Sequence, residues 1–302
     1  MQSLSFGIFY MFCASFFFAI MNAFVKVLSE DVPPLENLFF RSLFMVFFMS
    51  FIFFDKKKFI LKKGGWGKLW TRAILGAIAM LALFYNISSI SLSIATTFMQ
   101  STPLYTLFFA FLFLKEKISL QNIFATCIGF IGILFICNPF GEPMAFINII
   151  MGIISGALSA LALITLKTLK EYFSNNFIIF FFGLSTTLIG GILLLLPDLN
   201  FIDNTWHQPK LQEWILLFSM GLAGTLGQHF LTKAYMSAPA GIIAPIDYTR
   251  IIWGIIFGIY LGDAFPNIQT LTGIFLITFS GLLIALPIFI HDLRRLKNAK
   301  DL

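Results

Sequence analysis

At 302 residues, 59% of them hydrophobic and 11% charged, with a mean hydropathy of +0.91, the chain has too little polar surface to cover a water-soluble globule. Twenty Lys and Arg against 14 Asp and Glu leave a net charge of +6. Membrane topology and attraction to anionic lipid account for that charge, so no nucleic-acid partner is expected. Cys13, Cys127 and Cys137 all fall in apolar stretches, which excludes a disulfide-framed secreted fold.

A spanning helix needs roughly 20 apolar residues to cross a hydrocarbon core of ~30 Å. The first such stretch, residues 7–28, has no Lys or Arg ahead of it and is too long for a signal peptide, so it reads as a retained helix. Pro33-Pro34 separates it from 35–54. Further stretches follow at 70–90, 93–114, 121–138, 148–169 and 177–196, with Asn138-Pro139 and Pro197 ending two of them. The last three are 213–236, 240–261 and 269–290, with Ser237-Ala238-Pro239 between the first and second. The expected fold class is an all-α integral membrane protein with ten transmembrane helices, because backbone amides in lipid must bond within their own segment and barrel-type alternation is absent.

Lys and Arg predict the orientation. With a cytoplasmic N-terminus, the inner segments hold Lys56, Lys57, Lys58, Lys62, Lys63, Lys68 and Arg72, then Lys115 and Lys117, then Lys167 and Lys170, and finally Arg294, Arg295, Lys297 and Lys300. The outer segments hold Lys210. Both termini are therefore expected in the cytoplasm of a bacterium, with the chain in its inner membrane.

A shift of 141 residues lays Lys26-Val27-Leu28-Ser29-Glu30 over Lys167-Thr168-Leu169-Lys170-Glu171 and Phe39-Phe40 over Phe180-Phe181. A shift of 147 lays Glu116 over Asp263. Residues 1–144 and 145–302 then form two five-helix repeats. Five is odd, so the repeats are inverted with respect to each other, as in carriers that rock two bundles about a midplane site.

Several short stretches in this order carry a family resemblance: Phe39-Phe40-Arg41-Ser42, Ser101-Thr102-Pro103 and Leu114-Lys115-Glu116-Lys117 in the first half, then Ala244-Pro245-Ile246-Asp247-Tyr248-Thr249-Arg250 and Gly262-Asp263-Ala264-Phe265-Pro266-Asn267 in the second. With them the chain resembles the EamA-like branch of the drug/metabolite transporter superfamily over its whole length. The Phe-Phe-Arg and Ala-Pro stretches look most like bacterial S-adenosylmethionine uptake carriers. The resemblance implies a five-plus-five basket around a cavity that opens to each side in turn. Asp263 departs from the family's usual Glu.

A charge at membrane depth asks for a partner, a cavity or a task. Asp247 and Arg250 lie i,i+3 on one helix face, as a self-neutralising pair or as a cavity-lining pair that exchanges its contacts for substrate. Arg41 either serves the cavity or snorkels to the outer interface. His229 is a candidate proton relay or an ordinary interhelical hydrogen-bonding group. Asn22, Gln100 and Tyr248 complete the expected substrate site, while Glu116, Asp263, Pro103, Lys26 and Lys167 are expected to be structural. Gly152, Gly156 and Ala160, and Gly221, Gly224 and Gly227, mark faces where helices approach closely.

There is no phosphate-binding G-x-x-x-x-G-K-[ST] stretch, no H-E-x-x-H, no G-x-S-x-G and no Cys/His cluster with metal-ligand spacing, so no cofactor, metal or enzymatic activity is expected. The expected partners are the bilayer and a small amphipathic or zwitterionic metabolite, amino-acid-like or nucleoside-like, carried by alternating access. The alternative classes are an intramembrane enzyme built on Asp247 and His229, or a channel.

Overall fold

A computed structural model describes residues 2–52, 62–102, 104–105, 108–109, 120–137, 144–169, 171–196, 205–237 and 244–298. Among these residues there are ten α-helices and no β-strand. They are α1 (Gln2–Leu28), α2 (Pro34–Ile52), α3 (Trp66–Ser89), α4 (Leu92–Gln100), α5 (Leu120–Cys137), α6 (Phe146–Leu169), α7 (Asn175–Leu195), α8 (Leu211–Ser237), α9 (Thr249–Tyr260) and α10 (Ile268–Asn298). Five of them, α1, α3, α6, α7 and α8, meet both the length and the apolarity needed to cross a membrane on their own.

The ends follow local chemistry. Pro34 opens α2, where its missing N–H costs nothing, and Ser174 caps α7 by accepting from the Phe177 amide. At the end of α9, Gly262 adopts φ +94. The Asp263 amide then donates to the Gly258 carbonyl at 2.8 Å and the Gly262 amide to Ile259 at 3.1 Å, a Schellman close that only a residue free to turn left-handed completes without strain. Helix α9 begins differently from the expected continuous span. A 3-10 turn, Ala244–Tyr248, precedes it, so Asp247 sits in irregular backbone instead of a regular helix.

The most extensive helix pairings recur when each helix is exchanged for the one five places on. Helix α1 packs on α8 and α6 on α3, α1 packs on α9 and α6 on α4, and α2 packs on α8 and α7 on α3. The pairs α2 with α7, α4 with α9 and α5 with α10 map onto themselves. This is the signature of two like five-helix halves about a pseudo-two-fold axis.

The axis is marked at the crossing of α5 and α10. A Cβ on Gly132 would stand 2.9 Å from the Gly273 carbonyl oxygen, and one on Gly273 would stand 2.7 Å from that of Gly132. The small-residue faces expected on α6 and α8 are also contact faces, but they admit side chains more than backbone: Gly152 faces the Phe98 ring, Gly221 faces Phe44 and Gly227 faces Phe18.

The apolar core lies where α1, α2, α3 and α8 meet, around Met21, Leu38, Phe84 and Met220. Phe9, Phe47, Leu188, Ile215 and Phe275 are exposed, as suits side chains facing hydrocarbon. Cys13 and Cys127 are free thiols, and the Cys137 side chain lies outside the described residues.

Candidate functional site

Between the two halves lies a cavity of about 140 Å³. Its walls come from α1, α3, α4, α6, α7 and α8, and the 3-10 turn and first residues of α9 close it. Irregular backbone at membrane depth is tolerated where it lines such a space. Here the freed Asp247 carbonyl accepts from Gln100 Nε2 at 2.7 Å, which ties the broken end of the second half to α4 of the first.

Asp247 Oδ1 accepts from Arg250 Nη2 at 2.6 Å. The Arg250 guanidinium also stands 4.5 Å from the centroid of the Phe18 ring, a favourable cation–π distance. Asn22 and Tyr248 line the same space and are buried, with Asn22 Oδ1 and the Tyr248 hydroxyl lacking a hydrogen-bond partner among the described residues. Gln100, Asn22, Asp247, Tyr248 and Arg250 are thus brought together around one cavity.

A second arginine lines this cavity, and a third lies behind it without reaching the lining. Arg72, counted in the sequence among the cytoplasmic flanking charges, is instead 9% exposed and lines the cavity from the second turn of α3. Its guanidinium lies 4.7 Å from the Phe182 centroid, and Arg41 approaches the same ring at 5.8 Å. Arg41 is fully buried, so the snorkelling expectation is corrected: packing against α7 and α8 takes it inward, and Gly224 leaves the room beside its Nε. Among the described residues none of its three guanidinium nitrogens has a hydrogen-bond partner, nor does Arg72 Nε. Neither residue forms an ion pair among the described residues. An arginine at the helix centre costs about 2.5 to 3.5 kcal/mol on insertion scales, and the ring contacts offset only part of that.

His229 does not reach the cavity. It is half-buried beside Phe230, and Gln228, one residue earlier, lines the space instead. Lys233 is exposed with its ammonium 5.6 Å from the Tyr10 ring. Asn86 links α3 to α6 by donating to the Asn148 carbonyl at 3.0 Å.

Away from the cavity, the Schellman turn presents Asp263 to two partners. Its Oδ2 accepts from the Leu92 amide at 2.7 Å, at the start of α4, and its Oδ1 is 3.4 Å from Lys26 Nζ. Lys26 in turn donates to the Ile90 carbonyl at 2.8 Å. One carboxylate so clasps the ends of α1, α4 and α9. Pro103 and Glu116 lie outside the described residues, as does the Lys167 side chain on α6.

A second polar cluster sits at the starts of α2 and α8. The His207 amide donates to Glu36 Oε2 at 2.9 Å, its Nε2 pairs with Glu213 Oε2 at 2.8 Å, and the Lys210 amide donates to the same Glu213 oxygen at 2.8 Å. No group of His, Cys, Asp and Glu suited to a metal ion occurs among the described residues.

Arg72 and Gln228 are the site residues that sequence reasoning missed. A usable signal for Arg72 was the absence of any acid three or four residues away on α3, together with Gly76 one turn on.

The EamA-like transporter family profile matches residues 5–138 and 146–286. A Helicobacter pylori protein described as an uncharacterized transporter is 43% identical over 98% of this chain and 99% of its own length. A pseudopaline exporter of Pseudomonas aeruginosa is 29% identical over 86% of this chain and 89% of its own. An S-adenosylmethionine uptake transporter of Rickettsia felis is 27% identical over 82% of this chain and 81% of its own. These proteins are transporters, and the chain is a multi-pass membrane protein that handles a small molecule and performs no enzymatic reaction. With two family matches spanning nearly all of its ten helices, the chain belongs to the EamA-like transporter family.

Proposed function

We propose that the chain is a secondary active carrier that moves a small amphipathic or zwitterionic metabolite across the bacterial plasma membrane by alternating access. The observation that carries this reading is the cavity itself, which is shared by both halves and closed by a broken helix that presents Asp247 and Arg250. Discontinuous helices at a repeat interface are where secondary transporters bind their cargo. The paired halves supply two like bundles for rocking. Mixed chemistry in the lining, with Met21, Met80 and Met99 beside Asn22 and Gln100, suits a solute with an apolar body and polar ends. Candidate substrate contacts are Asp247, Arg250, Asn22, Gln100 and Tyr248. An importer and an exporter both occur among the relatives, so family membership leaves the direction to experiment.

The test is counterflow in proteoliposomes. Saturable exchange of a labelled solute against its unlabelled form supports a carrier; non-saturable flux down the gradient that is indifferent to unlabelled solute on the far side sinks it in favour of a channel. The N-in, C-in orientation belongs to this proposal too. Ile60→Cys and Asn298→Cys should be shielded from an impermeant thiol reagent on intact cells, and Thr205→Cys should react. Labelling of the first two would overturn that orientation.

A further inference from the structure

We propose that the cavity binds an anionic group of the transported solute, a carboxylate or a phosphate, at Arg72, with Arg41 supplying a second positive charge beside the same Phe182 ring. The inference rests on the transport reading above and adds the charge of the cargo.

The first support is an imbalance of charge. Arg72 and Arg250 line the cavity and Arg41 lies behind it across the Phe182 ring, and among the described residues the lining holds one carboxylate, Asp247, which is engaged by Arg250. The other buried acids, Glu36 and Glu213, are drawn into the cluster around His207. No fixed anion among the described residues serves Arg41 or Arg72, whose neutral companion is the Phe182 ring. A mobile anion that enters and leaves with each cycle supplies the missing charge.

The second support is shape. Arg72 lines the cavity, so its fork of donors is available to a guest, and a guanidinium matches the two oxygens of a carboxylate or phosphate. Gly76 keeps that position open. A Cβ there would run into Arg72 Nη1 and stand 2.8 Å from the Phe182 ring. Met80 and Leu83, further along the same helix, offer the apolar wall for the rest of the solute.

The experiment compares the full chain, Arg72→Gln, Arg72→Lys and Arg41→Gln in phosphatidylcholine liposomes loaded with a bacterial metabolite extract, the exchanged solutes being identified by mass spectrometry. The solutes exchanged by the unaltered chain should carry a carboxylate or phosphate. Arg72→Gln should lower that exchange about tenfold or more, the worth of a lost hydrogen bond to a charged group, and Arg72→Lys and Arg41→Gln should each lower it less. The melting temperature of solute-free Arg72→Gln should equal or exceed that of the unaltered chain, because an unpaired charge has been removed. A clear fall would mark Arg72 as a structural cation and overturn the proposal.

Exchange of neutral or cationic solutes alone, indifferent to Arg72→Gln, would overturn it while leaving the transport reading intact. If no solute exchanges, the transport reading fails, and the site is judged by melting temperature in detergent with sodium phosphate, sodium succinate or phosphatidylglycerol against sodium chloride of equal ionic strength. A rise with phosphate or succinate that Arg72→Gln abolishes supports the anion site. A rise with phosphatidylglycerol alone assigns the charges to a lipid headgroup and overturns it, as does no rise.

Discussion

Arg250 and Arg72 face one cavity with the same side chain, and the protein treats them differently. Arg250 is neutralised from within by Asp247 and rests on Phe18, whereas Arg72 shares Phe182 with Arg41 and has no acid to answer it among the described residues. A paired charge can hold a broken helix together; an unpaired one stores unspent attraction. The paired side is therefore expected to serve structure and recognition together, and the unpaired side recognition alone.

The largest expected effect tests the paired side. Asp247→Asn leaves Arg250 buried without its counter-charge and should destabilise the protein by about 3 to 5 kcal/mol, read by denaturant or thermal unfolding in detergent. Asp247→Asn combined with Arg250→Gln should recover much of that loss but not solute exchange. Near-normal exchange in the double variant would reduce the pair to a structural device.

Gly76→Ala probes the unpaired side. The added methyl displaces Arg72 or the Phe182 ring and should cost about 1 to 3 kcal/mol as overpacking, with a loss of exchange out of proportion to the loss of stability. Gly67→Ala, where a Cβ meets nothing within 4 Å, is the matched control and should stay within about 0.5 kcal/mol of the parent. Equal behaviour of the two would erase the distinction between the arginines.

The smallest effect belongs to the clasp remote from both. Asp263→Asn keeps an acceptor for the Leu92 amide but weakens it and loses the attraction of Lys26, so about 1 kcal/mol of stability should go, with binding of any solute unchanged. An affinity defect at constant melting temperature would move Asp263 from scaffold to site.

How much of this was legible beforehand depended on which physical signal each feature carries. Most helix positions were readable within about five residues, because a run of apolar residues in lipid has no alternative to helix, but α10 runs on to Asn298, α9 starts only at Thr249, and the expected end of the fourth span lies outside the described residues. Depth and facing were not. Arg72 follows Lys62, Lys63 and Lys68 closely enough to pass for another interfacial charge, and only the packing of α3 against α6 and α7 turns it inward. Polar and apolar residues are spread evenly around helix α8, so nothing in its sequence says that Gln228 and not His229 points to the cavity. The Asp247–Arg250 pairing was accessible because i,i+3 neighbours meet in a helix or a 3-10 turn alike, while the break before α9 carried a signal, Pro245, that the apolar residues on either side outweighed.

Gly132 and Gly273 stand apart by the same 141 residues that relate the two halves, and each lies against the other's carbonyl. A residue that touches its own counterpart sits on the symmetry axis, the one line that exchanging the halves leaves in place. Under the rocking proposed above, motion there is least and this crossing is the fulcrum. It is also what a pair of identical five-helix chains inserted in opposite directions would present, one glycine meeting a second copy of itself.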